Sequence, residues 1–91
     1  MKTRQGEEAT AMLRRLILQK AADIKQKGST PAIYIDHGLF KMLWEYYPTS
    51  LLRCANNAEL YFEGILIRIT DSLNMEFTVV DDADRTVVLS V

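Results

Sequence analysis

Part-way along this chain the spacing of its apolar residues changes from the period of a helix to that of a strand, and the change limits the folds open to it. Ala9, Met12, Leu13, Leu16, Ile17, Ala21 and Ile24 recur at intervals of three and four, with Arg14, Arg15, Gln19, Lys20, Asp23 and Lys27 between them. That pattern predicts a long amphipathic helix with one buried stripe. Glu7 and Glu8 suit the free N–H groups of its first turn, and Lys25, Lys27 and Gly28 suit its carbonyl end. From residue 60 the segments 60–62, 65–70, 76–80 and 86–91 are short, rich in β-branched and aromatic residues, and bounded by turn formers. They predict an antiparallel β-meander, with Glu63-Gly64 as a tight hairpin and connections at 71–74 and 81–85.

Between these two regimes, Gly28-Ser29-Thr30-Pro31 breaks the helix, and Ala32-Ile33-Tyr34-Ile35 reads as a short strand. Asp36 is placed to cap a second helix, in which Leu39, Phe40, Leu43, Trp44 and Tyr47 form an apolar stripe that Pro48 ends. Trp44 and Tyr47 are expected in the core and Tyr46, displaced from the stripe, at the surface. The stretch 49–58 has mixed polarity and a turn signal at Asn56-Asn57. The expected fold class is therefore α+β: a long N-terminal helix, a short strand and second helix, then a C-terminal antiparallel β-meander, with both helices on one face of the sheet.

The 91 residues suffice for one domain over 1–91, with 1–6 expected as a flexible N-terminal tail. A 48% apolar, 25% charged composition supports a core and argues against disorder. The 11 basic and 12 acidic side chains leave a net charge of -1, so no long-range field draws the chain to nucleic acid or anionic lipid. One cysteine, Cys54, forms no internal disulfide. No apolar run reaches the ~20 residues of a membrane span, and no signal-peptide pattern opens the chain, so a cytoplasmic setting is expected.

The Gly-rich phosphate and dinucleotide loops, the paired-His and paired-Cys metal motifs and the serine nucleophile elbow are all missing from the sequence. No cofactor or metal site and no catalytic residue is expected. His37, beside Asp36, is the one histidine; it reads as a surface or structural residue, with ligand binding or general-base chemistry as the sharper alternatives. Cys54 reads as a small apolar residue unless the fold brings it to His37. Asp71, Asp81, Asp82 and Asp84 concentrate carboxylates in turns but lack the alternating spacing of a calcium loop, and read as solvated.

Ile65-Leu66-Ile67 and Val87-Val88-Leu89 are apolar on both faces, whereas two helices cover only one. A self-association surface is therefore expected on the outer face or an exposed edge of the meander, at Leu66, Phe77, Val79 and Val88, with Tyr46 of the second helix as a further partner contact. The function expected is a non-catalytic structural or protein-interaction domain, partnered by itself or another protein. A small regulatory adaptor, and a ligand-binding domain or enzyme using His37, are the alternatives.

The segment 32–81 resembles a peripheral segment of the major capsid proteins of tailed bacteriophages. The likeness lies in a short strand, a helix with aromatic positions and the strand pair ELYFEGILIRITDSL, in which Gly64 precedes Ile65-Leu66-Ile67-Arg68-Ile69-Thr70 and a small loop. The resemblance implies a small phage- or prophage-derived protein that works by assembly, without the long helix and second domain of a shell subunit.

Overall fold

The structure is a computed structural model and describes residues 4–56, 58–70 and 75–81. It has the α+β architecture expected. Helix α1 spans Arg4–Gln26, strand β1 Pro31–Asp36, helix α2 His37–Tyr46, a single 3₁₀ turn Pro48–Ser50, then β2 Leu51–Arg53, β3 Leu60–Phe62, β4 Ile65–Thr70 and β5 Phe77–Asp81.

α1 buries Thr10, Leu13, Ile17 and Ala21, a stripe spaced by three, four and four. The buried Thr10 hydroxyl is satisfied within the helix, donating to the Gly6 carbonyl at 2.6 Å. The helix ends in a Schellman motif: Ser29 N–H donates to the Ile24 carbonyl and Gly28 N–H to that of Lys25, with Gly28 in the left-handed region at φ 81°. Residues 4–6, expected in a tail, belong to the first turns of α1. α2 starts as read: Asp36, extended at φ -64° and ψ 148°, accepts a bond from Gly38 N–H at 2.8 Å. It ends at Tyr47, whose N–H returns to the Leu43 carbonyl before Pro48 closes the helical path.

The five strands form one mixed sheet in the order β2-β3-β4-β1-β5. β2, β3 and β4 are an antiparallel meander. β1 runs parallel to β4 on one side and antiparallel to β5 on the other, so the first strand sits inside the C-terminal sheet rather than beside it. Its centrality follows from its side chains: Ala32, Ile33 and Ile35 are fully buried, and Pro31, which cannot donate to a ladder, is its first residue. β2 arises within the stretch of mixed polarity, where Leu51 pairs with Phe62. The β3–β4 connection is the expected two-residue turn, with Glu63 at φ 48° and Gly64 at φ 83°, the pair of positive angles of a type I′ hairpin.

Helix α1 lies against β5 and β1, α2 against β1 and β4, and the helices touch each other, so they form a single layer. Between layer and sheet lies the core: Leu13 and Ile17 from α1, Leu43 from α2, and Ile33, Ile35, Leu51, Phe62, Ile65 and Ile67 from the strands. The connection expected at 71–74 and the strand expected at 86–91, with Val88, lie outside the described residues.

Candidate protein-interaction surfaces

Because side chains alternate across a sheet, the pairing registers sort every strand residue onto one of two faces. Ile33, Ile35, Ile65 and Ile67 face the helices. Phe77 and Val79 pair with Ile35 and Ile33 and pack against the same core, which puts both on the helix side rather than on the outer face. On the outer face a row of directly opposed residues runs across all five strands: Leu52, Tyr61, Leu66, Ala32 and Val80. Beside it lies a second row of Arg68, Tyr34 and Thr78. Leu66, Tyr61, Tyr34 and Val80 are half-buried, and Leu52 is 67% exposed. Arg68 is held at the margin by Glu59, N to O 3.1 Å.

A second concave surface lies on the helix side, where α2 leaves the sheet partly uncovered. It is a groove of about 420 Å³. Leu51, Leu60 and Ile69 line it from the sheet, and Phe40 and Trp44 from α2. Ile69 stays 43% exposed although its parity directs it toward the helices. Phe40 and Trp44, one helical turn apart, place their rings 6.4 Å apart at a 30° tilt, and Trp44 is 56% exposed. Trp44 thus departs from the expected core position. The buried stripe of α2 is centred on Leu43, with Leu39, Phe40 and Tyr47 packed on the core, and Trp44 lies about 100° around the helix from Leu43. Tyr46 is half-buried at the helix end.

His37 is exposed at the first position of α2 and lines this groove together with Lys41 and Arg53. The carboxylate beside it in sequence does something else: Asp36 is buried and engaged with Gly38 N–H, as a helix cap. Cys54 is half-buried in the β2–β3 loop, where its N–H donates to the Glu59 carbonyl at 2.8 Å and its carbonyl accepts from Ala58. Among the described residues no three His, Cys, Asp or Glu side chains group as metal ligands. Of the acidic turn residues only Asp81 is described, and Asp71, Asp82 and Asp84 lie outside. No helix among the described residues is long and apolar enough to cross a membrane.

One long-range contact was not foreseeable from spacing. Arg14 of α1 reaches the β3–β4 turn and donates to both carboxylate oxygens of Glu63, at 2.6 and 3.1 Å, while its guanidinium lies 5.5 Å from the Tyr47 ring centroid. The bond to Glu63 raises the Arg14 pKa above its ordinary value; burial opposes it, and the electrostatic attraction of Glu63 and then Tyr47 adds lesser upward contributions. The bridge ties the helix layer to the hairpin that carries Leu66.

No family model, curated protein or solved structure matches this chain.

Proposed function

We propose that this chain is a non-catalytic protein-interaction domain that associates with a second copy of itself through the open face of its sheet. The carrying observation is the apolar row Leu52–Tyr61–Leu66–Ala32–Val80, which crosses the five described strands on the side opposite the helices. Both described helices lie on the other face, so the parts of Leu52, Tyr61, Leu66 and Val80 that remain in water are left for a partner to cover, while Ala32 at the centre of the row is already fully buried. A row crossing the sheet is also suited to an isologous contact, since a two-fold axis near Leu66 lays the row of one copy along that of the other. Aromatic and aliphatic residues at its middle, with Arg68 and Glu59 at the margin, match the apolar centre and polar rim of protein interfaces.

Within the same proposal the chain is a small phage-derived assembly module. What supports that part is the residue order from Gly64 to Thr70, which folds as the hairpin turn and β4 and so carries Leu66.

Sedimentation equilibrium over a concentration series tests the proposal. The native chain should shift from monomer to dimer with concentration, and Leu66→Lys, which sets a charge in the middle of the row, should remain monomeric with an unchanged far-UV circular dichroism spectrum. A native chain that stays monomeric up to its solubility limit would overturn it. So would a Leu66→Lys variant that dimerises as the native chain does.

A further inference from the structure

The groove beside α2 differs from the sheet face in its chemistry. Its floor is aliphatic and its wall aromatic, yet its other lining residues among those described are His37, Lys41 and Arg53, none of them acidic. Among the described residues neither Lys41 nor His37 is in an ion pair. Arg53 is fixed at the rim by one nitrogen, which donates to the Ala58 carbonyl at 2.9 Å, and its fork has further N–H donors beyond that bond.

We infer that this groove binds an acidic peptide segment of another protein, one that inserts a bulky apolar side chain between Trp44 and Ile69 and sets flanking carboxylates against Lys41 and Arg53. Charge complementarity selects this occupant: in a chain of net charge -1, a groove whose charged lining among the described residues is Lys41 and Arg53 is a local reversal of sign. An exposed tryptophan backed by a second ring, beside a concave apolar floor, is the kind of anchor site on which binding energy concentrates. About 420 Å³ is near the low end of ligand-pocket volumes, roughly 300–1,000 Å³, and matches a side-chain anchor with a short length of backbone. A nucleic-acid strand is disfavoured because two cations do not make a phosphate track, and an aliphatic floor is not a stacking platform.

Trp44 is the only tryptophan in the chain, so its fluorescence reports directly on the groove. The probe is a capped hexapeptide with a phenylalanine–leucine centre flanked by aspartates. Titration should give a saturable blue shift of Trp44 emission, and the double variant Lys41→Glu, Arg53→Glu, checked for folding by circular dichroism, should bind about tenfold or more weakly. A lysine-flanked peptide of the same centre and an alanine-centred acidic peptide should both fail to saturate. The Leu66→Lys variant should bind the acidic peptide as the native chain does, which separates this site from the self-association face. The inference is overturned by no saturable shift with the acidic peptide, by equal binding of the lysine-flanked one, by tighter binding of a short oligouridylate, or by undiminished binding in the charge-reversed variant.

Discussion

Glu63 sits where its own backbone disfavours it. The first central position of a type I′ turn has positive φ, 48° here, which costs an ordinary L-residue roughly 1–2 kcal/mol and which asparagine tolerates far better. What Glu63 supplies in exchange is the two-point bridge to Arg14. The two side chains are 39% and 28% exposed, so solvent screens the pair, and about 0.5–1 kcal/mol is the appropriate scale. Glu63→Asn should therefore gain about 0.5–1 kcal/mol in the turn and lose about as much in the bridge, leaving stability nearly unchanged. In an Arg14→Ala background no bridge remains to be lost, and the same substitution should stabilise by about 0.5–1 kcal/mol. For a domain of this size that is a rise in Tm of roughly 2–8 °C.

The assay is a double-mutant cycle by urea denaturation and thermal melting, repeated at about 1 M salt, where the screening length falls to about 3 Å and Glu63→Asn should become stabilising on the native background too. The coupling should not depend on Arg14 titration near neutrality. A raised folded pKa gives a contribution fully present below the unfolded value and lost only as pH climbs through the folded one, well beyond the neutral range. Destabilisation by Glu63→Asn in the Arg14→Ala background, or a coupling below about 0.2 kcal/mol, would refute the trade between turn and bridge.

Phe62 is fully buried where β3 meets the core, and Phe62→Ala should cost about 3–5 kcal/mol by urea denaturation, a large part of the total for a domain of this size. Asp36→Ala should cost about 0.5–2 kcal/mol through the lost cap, while Asp36→Asn, which keeps an acceptor for Gly38 N–H, should cost much less; both are read from Tm.

The parts of this fold that were legible in the sequence are those decided within one or two turns of chain. The stripe Leu13–Ile17–Ala21, the Asp36 cap, the Gly28 stop and the Glu63-Gly64 turn each rest on neighbouring residues, and each appears in the structure. The expected stripe is nevertheless wider than the buried one. Met12, 51% exposed, and Leu16 lie on its flank, because the sheet meets only the arc of α1 around Ile17. β2 has three residues and therefore no period to read; pairing of Leu51 with Phe62 creates it. The insertion of β1 between β4 and β5 was hidden for the same reason, since Ile33 finds Ile67 on one side and Val79 on the other only when distant segments meet.

Both candidate surfaces come from how two helices are set on five strands. The helix layer is centred over β5, β1 and β4, and α2, ten residues or about 15 Å long, leaves Leu60 and Ile69 reachable from the side. From the sequence, Phe40, Leu43, Trp44 and Tyr47 form one apolar face; the placement of the layer splits it, sending Leu43 into the core and Trp44 to the groove. Leu66 and Ile67 are divided in the same way by the pleat of β4. Apolar patterning in this chain therefore marks candidates for burial, and the offset of the helix layer decides which of them are buried within one copy.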